Sequence, residues 1–202
     1  MTNPSAVMKL SPVVPVLVIE DADYARPIAE ALVAGGLFAL EVTLRTAAAL
    51  EVIAEMAKVK GAVVGAGTVL NEADLRASID AGAQFIVSPG LTEPLGKAAI
   101  ASGTPFLPGI ANAGDIMRGL DLGLTHFKFF PAETSGGIKA LKAITGPFGQ
   151  CKFCPTGGIT QASAPDWLAL DAVLCVGGSW IVPPGAPDVA AITKAARKAA
   201  AL

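Results

Sequence analysis

Short apolar runs of strand length recur along the chain as VVPVLVI, LFALEVTL, AVVGAG, FIVSP, PFLPGI, HFKFF, CKFCPTGG and AVLCVGG. Between them lie segments rich in Ala, Leu, Glu and Lys, starting near Asp23, Ala47, Glu72, Glu93, Ala113, Gly137, Gln161 and Pro187. Their apolar residues return every three to four positions, the spacing of one helix face. The pattern predicts a strand–helix unit repeated about eight times. Strands that are apolar throughout need cover on both faces, and strict alternation with helices requires parallel pairing through helical crossovers. A closed (β/α)8 TIM barrel in the α/β class meets both demands. The alternative is an open doubly wound sheet, but that fold usually carries a Gly-rich turn after its first strand, and VVPVLVIEDAD has none.

Composition narrows this to one unit. The 202 residues are 52% hydrophobic and 16% charged, which favours a single domain over residues 1–202 with a large core. Against the ~250 residues typical of such barrels the chain is short, so its loops must be lean. A formal net charge of -2 gives no general pull toward nucleic acid or an anionic membrane, so neither is an expected partner and an anionic ligand must be held locally. MTNPSAVMKL lacks the basic-then-apolar layout of a secretory signal, and no apolar run reaches the ~18 residues of a membrane span. A cytoplasmic location is expected. The three cysteines do not suggest a disulfide framework. Cys151 and Cys154 form a C-x-x-C, yet residues three apart on a strand face opposite ways, and His126 is the only histidine. Neither a redox pair nor a metal site is expected, and no cofactor.

In a barrel of this kind the active site is built at the C-terminal strand ends, so polar residues interrupting apolar strands there are the informative ones. Lys128 lies between Phe127 and Phe129; apolar surroundings disfavour its ammonium form, and the neutral amine is a carbonyl nucleophile. Lys152 starts its strand and is expected to reach solvent at the opposite end. Glu41 is the one carboxylate inside LFALEVTL, where burial is costly without a partner or a task. It is the natural proton shuttle for Schiff-base chemistry; an ion pair with Lys128 or Arg45 is the other way to account for it. Arg45 leaves the strand four residues later and can present a planar fork to a carboxylate, with Thr68 of GAGT adding a hydroxyl. PTGGI and VGGSW end the last two strands, and their glycines let backbone N–H groups approach an anion closely. Thr156, Gly157, Gly158, Gly178 and Ser179 are therefore the candidate phosphate ligands, at the loops where barrels commonly bind phosphate.

On these residues, and on PVVPVLVI, ALVAGG, LEVTLRT, VGAGTVLN, AGAQFIVSPGLTEPL, FKFFPAE, GPF, FCPTGGI and VLCVGGSW, nearly the whole chain resembles the bacterial 2-keto-3-deoxy-6-phosphogluconate (KDPG) aldolase family, which also cleaves 4-hydroxy-2-oxoglutarate (KHG). The resemblance implies a homotrimeric, metal-independent class I aldolase that releases pyruvate and glyceraldehyde 3-phosphate. It matches Lys128 to the Schiff-base lysine and Glu41 to the acid/base glutamate. Arg45 and Thr68 match the pyruvate carboxylate ligands, and Gly157, Gly158 and Ser179 the phosphate contacts, with Thr156 beside them. One departure follows PGI, where the family commonly has a Ser/Thr-bearing turn and this chain reads Ala111-Asn112-Ala113-Gly114. Two other functions compete on the same fold: a phosphosugar isomerase or epimerase, and a non-catalytic phosphate-binding barrel. Neither needs Lys128.

Overall fold

The computed structural model describes residues 4–202. Strands β1 (Val13–Leu17), β2 (Ala39–Thr43), β3 (Val63–Gly67), β4 (Phe85–Val87), β5 (Phe106–Leu107) and β9 (Val176–Gly178) form one sheet in the order β5-β4-β3-β2-β1-β9. Strands β6 (Gly109–Ile110), β7 (His126–Phe129) and β8 (Lys152–Pro155) form a second, ordered β6-β7-β8. The strand ladders are parallel. The helices α2 (Ala25–Ala34), α3 (Ala49–Met56), α4 (Glu72–Asp80), α5 (Glu93–Ser102), α6 (Ala113–Asp121), α7 (Gly137–Thr145), α8 (Ala164–Leu168) and α9 (Val189–Ala200) alternate with them. The fold is thus α/β with parallel sheets, as the hydrophobic pattern demands. No helix among the described residues is long and apolar enough to cross a membrane.

Where the sequence predicts one closed ladder, regular pairing is interrupted at two seams. Pro108 divides PFLPGI into β5 and β6 because proline has no N–H to donate, although its carbonyl still accepts from Lys128 N at 2.8 Å. At the other seam β8 meets the segment around β9 through the isolated bridges Phe153↔Val173 and Thr156↔Gly177.

Alternation along the strands sorts their side chains into two cores. Leu40 and Val42 of β2 and Phe127 and Phe129 of β7 join the large core beneath the helices. Ala39, with Val14, Phe85, Val87, Leu107, Cys154 and Cys175, forms a smaller inner core. Val7 and Met8 of a short helix, α1 (Pro4–Met8), pack into that inner core. Helix α1 has no counterpart among the predicted elements, since five residues are too few to show a period. Cys151 lies in the outer core and Cys154 in the inner one, the opposite faces that their spacing implies. Lys152 Nζ donates to Asp171 O at 2.9 Å in an exposed position.

His126 opens β7, partly buried, with a ring nitrogen 3.1 Å from Thr125 Oγ1. Burial first, then the charges of Lys9 and Lys152, push its pKa below the usual histidine value. Above pH ~6.5 the ring is neutral in both folded and unfolded chains; as the pH falls the unfolded chain takes up the proton first, so stability declines until the folded ring titrates too. The His126→Gln variant is therefore expected to show a shallower fall in Tm between about pH 6.5 and pH 5. An unchanged slope would assign the decline to other groups.

Candidate active site

Glu41 and Lys128 occupy the third positions of β2 and β7. Because their strand neighbours face the helices, both side chains point to the inner face of the sheets. There Lys128 Nζ donates to Glu41 Oε1 at 2.9 Å, across 87 residues of sequence, with the side chains 6% and 4% exposed. The amine is paired with a carboxylate rather than isolated among apolar groups, so the ion pair weighed from sequence is present. The Phe130 ring centroid lies 5.3 Å from Nζ, a cation–π distance. Gly67 makes room for the carboxylate, since a Cβ there would stand 2.3 Å from Glu41 Oε1. A buried ion pair is weak evidence for stability. An amine and a carboxylate held in contact suit nucleophilic attack with proton transfer.

Arg45 is exposed in the turn after β2, and Thr68 follows β3. The strands are neighbours, and Leu44 N donates to Gly67 O at 2.8 Å, so the two residues leave adjacent strand ends. Thr68 has φ 60. A β-branched residue in the left-handed region carries strain of about 1–3 kcal/mol.

The remaining candidates gather where β8 and β9 end. Gly157 and Gly158 turn the chain with φ 106 and 81. Thr156 is buried; its hydroxyl donates to Cys154 O at 3.4 Å, and Gly177 is bare against it. Gly178 lies against the Trp180 ring, whose Nε1 donates to Gln161 Oε1 at 3.1 Å and ties the two loops together. Ser179 is exposed on a cleft of about 710 Å³ lined also by Val16, Tyr24, Ile28 and Val182, a volume suited to a small-molecule ligand. In sheet order β1 stands between β9 and β2, so Ser179 and Arg45 are separated by one strand.

A second cleft, of about 360 Å³, is lined by Pro89, Thr92, Gly109, Asp115 and Phe130. It adjoins the departing segment, whose polar groups are engaged locally. Asn112 Oδ1 accepts from Asp115 N at 3.1 Å and caps α6, and Ala111 N donates to Asp115 Oδ2 at 2.9 Å. Among the described residues no group of three or more His, Cys, Asp or Glu side chains could hold a metal ion.

The family model of KDPG and KHG aldolase matches residues 5–195. The chain belongs to that family. Within the KDPG and KHG aldolases, the KHG/KDPG aldolase of Escherichia coli is 54% identical over 202 residues, covering 98% of this chain and 95% of the relative. The crystal structure of the Zymomonas mobilis KDPG aldolase with 3-phosphoglycerate superposes with a TM-score of 0.97 at 61% identity, covering 100% of this chain and 96% of that one. The Legionella pneumophila KDPG aldolase, with pyruvate captured as a covalent carbinolamine, superposes with a TM-score of 0.95 at 45% identity and 98% of each chain.

Proposed function

We propose that this chain is a class I aldolase that cleaves KDPG to pyruvate and D-glyceraldehyde 3-phosphate, and KHG to pyruvate and glyoxylate. The observation that carries this reading is the buried contact of Lys128 Nζ with Glu41 Oε1 in a chain of the KDPG and KHG aldolase family. An isomerase has no need of a lysine nucleophile, and a non-catalytic phosphate-binding barrel has no need of either residue.

Lys128 passes a proton to Glu41 and its neutral amine attacks the C2 ketone. Glu41 relays a proton from the attacking nitrogen to the C2 oxygen to give the carbinolamine, then protonates its hydroxyl, which leaves as water, and an iminium remains. The Glu41 carboxylate takes the C4 hydroxyl proton as the C3–C4 bond breaks, and the bonding electrons pass into the iminium to form an enamine. The aldehyde departs. Glu41 returns the proton to C3, and water hydrolyses the iminium, its oxygen becoming the pyruvate ketone and its two protons passing to nitrogen, which restores the Lys128 ammonium beside the Glu41 carboxylate. Arg45 and the Thr68 hydroxyl hold the substrate carboxylate, while Gly157, Gly158, Gly178 and Ser179, with Thr156 behind them, receive the phosphate.

The fold that carries these steps is one domain over residues 1–202, a barrel of eight strands. Counting β5 and β6 as one strand bent at Pro108, and taking the Thr156↔Gly177 bridge as the closing contact, supports that count. A homotrimer needing no metal follows from the family resemblance, and the N-terminal pattern and cysteine usage support a cytoplasmic location. The test is borohydride reduction with pyruvate followed by peptide mapping: a reduced three-carbon adduct is expected on Lys128. An adduct on another lysine, or none, would sink the assignment.

A further inference from the structure

We infer that Glu133, held by Trp167, is a positioning residue that sets the direction of the phosphate-binding amides of Gly157 and Gly158. The inference rests on the phosphate reading of that turn. Three observations carry it. First, Ala132 N donates to Thr156 O at 2.8 Å and Glu133 N to Gly157 O at 3.1 Å. In a trans peptide the carbonyl of one residue and the N–H of the next point in opposite directions. Both carbonyls are drawn toward the loop after β7, so the N–H groups of Gly157 and Gly158 are turned away from it, side by side.

Second, the Glu133 stem is the floor of the turn. A Cβ on Gly158 would stand 2.7 Å from Glu133 Cγ and 2.8 Å from its Cβ, so the backbone rests on this side chain. Third, the side chain is itself anchored. Its Oε1 accepts from Trp167 Nε1 at 3.0 Å, and Trp167 is fully buried, its ring 6.2 Å from that of Phe129. The loop after β7, the turn after β8 and α8 are thereby locked as one bracket.

The charge of Glu133 is of the wrong sign to attract a phosphate. Its contribution is geometric, and a neutral acceptor of the same shape should serve as well. That separates a bracket from an electrostatic or merely structural role.

The experiment compares KM and kcat for KDPG and for unphosphorylated KHG in the parent, Glu133→Gln, Glu133→Ala, Trp167→Phe and Ser179→Asp proteins. Loss of aligned donors to a charged group is worth about tenfold in affinity. Glu133→Ala and Trp167→Phe are expected to raise KM for KDPG by about that factor, with KHG constants within about twofold. Glu133→Gln should retain the parent KM for KDPG or lower it. Equal losses on both substrates in Glu133→Ala, no loss at all, or a Glu133→Gln protein as weak as Glu133→Ala would each overturn the bracket. Ser179→Asp separates the two levels, because it sets a negative charge against the phosphate. If it raises KM for KDPG while Glu133→Ala does not, the phosphate site stands and the bracket falls. If Ser179→Asp also leaves KDPG unaffected, both fall.

Discussion

Replacing Lys128 by methionine is expected to lower kcat/KM for KDPG by at least ~10⁴-fold, because the covalent route through the C2 iminium disappears. Methionine has nearly the length of lysine and fills the inner face among Glu41, Phe130 and the strand backbones. It leaves the Glu41 carboxylate buried without its partner, and removing one member of a buried pair costs about 3–5 kcal/mol. The single variant should therefore melt lower than the parent. The double variant Lys128→Met, Glu41→Gln should regain much of that loss and remain inactive, which separates chemistry from folding. Pyruvate release is the readout. Turnover in Lys128→Met within about a hundredfold of the parent would remove the lysine from the role of nucleophile.

Glu41→Gln is expected to slow turnover of both substrates by about 10²- to 10⁴-fold with a smaller change in Tm. Glutamine can still accept from Lys128 Nζ across the 2.9 Å now bridged by the carboxylate, and Gly67 leaves room for its amide. What it cannot do is carry a proton between the amine, the carbinolamine hydroxyl and C3. Pyruvate-dependent borohydride trapping should slow along with turnover, since carbinolamine formation and dehydration draw on the same group. Turnover within about threefold of the parent would leave Glu41 as a partner that fills the interior.

Much of this was legible along the chain because burial writes itself into strand composition. A strand covered on both faces is apolar at every position, so a lysine inside HFKFF or a glutamate inside LFALEVTL stands out without any knowledge of the fold. Their contact was harder to read. It spans 87 residues, and the sequence left the ion pair and the desolvated amine as alternatives. Gly67 reads as part of a GAGT turn until the Glu41 carboxylate is seen beside it. Glu133 reads as an ordinary polar residue after FKFFPA, because its partner Trp167 lies 34 residues on. Helix α1 is not legible along the chain because Val7 and Met8 alone make no pattern, and the effect of Pro108 depends on which neighbour lacks a donor. Arg45 and Thr68 could be placed at neighbouring strand ends, but the left-handed backbone of Thr68 could not be foreseen in a β-branched residue.

The two seams give the Lys128–Glu41 contact a meaning beyond chemistry. Glu41 belongs to the six-stranded sheet and Lys128 to the three-stranded one, so the contact ties the two sheets together across their inner face. The distance between amine and carboxylate is therefore set by how the two sheets dock, and not by either strand alone.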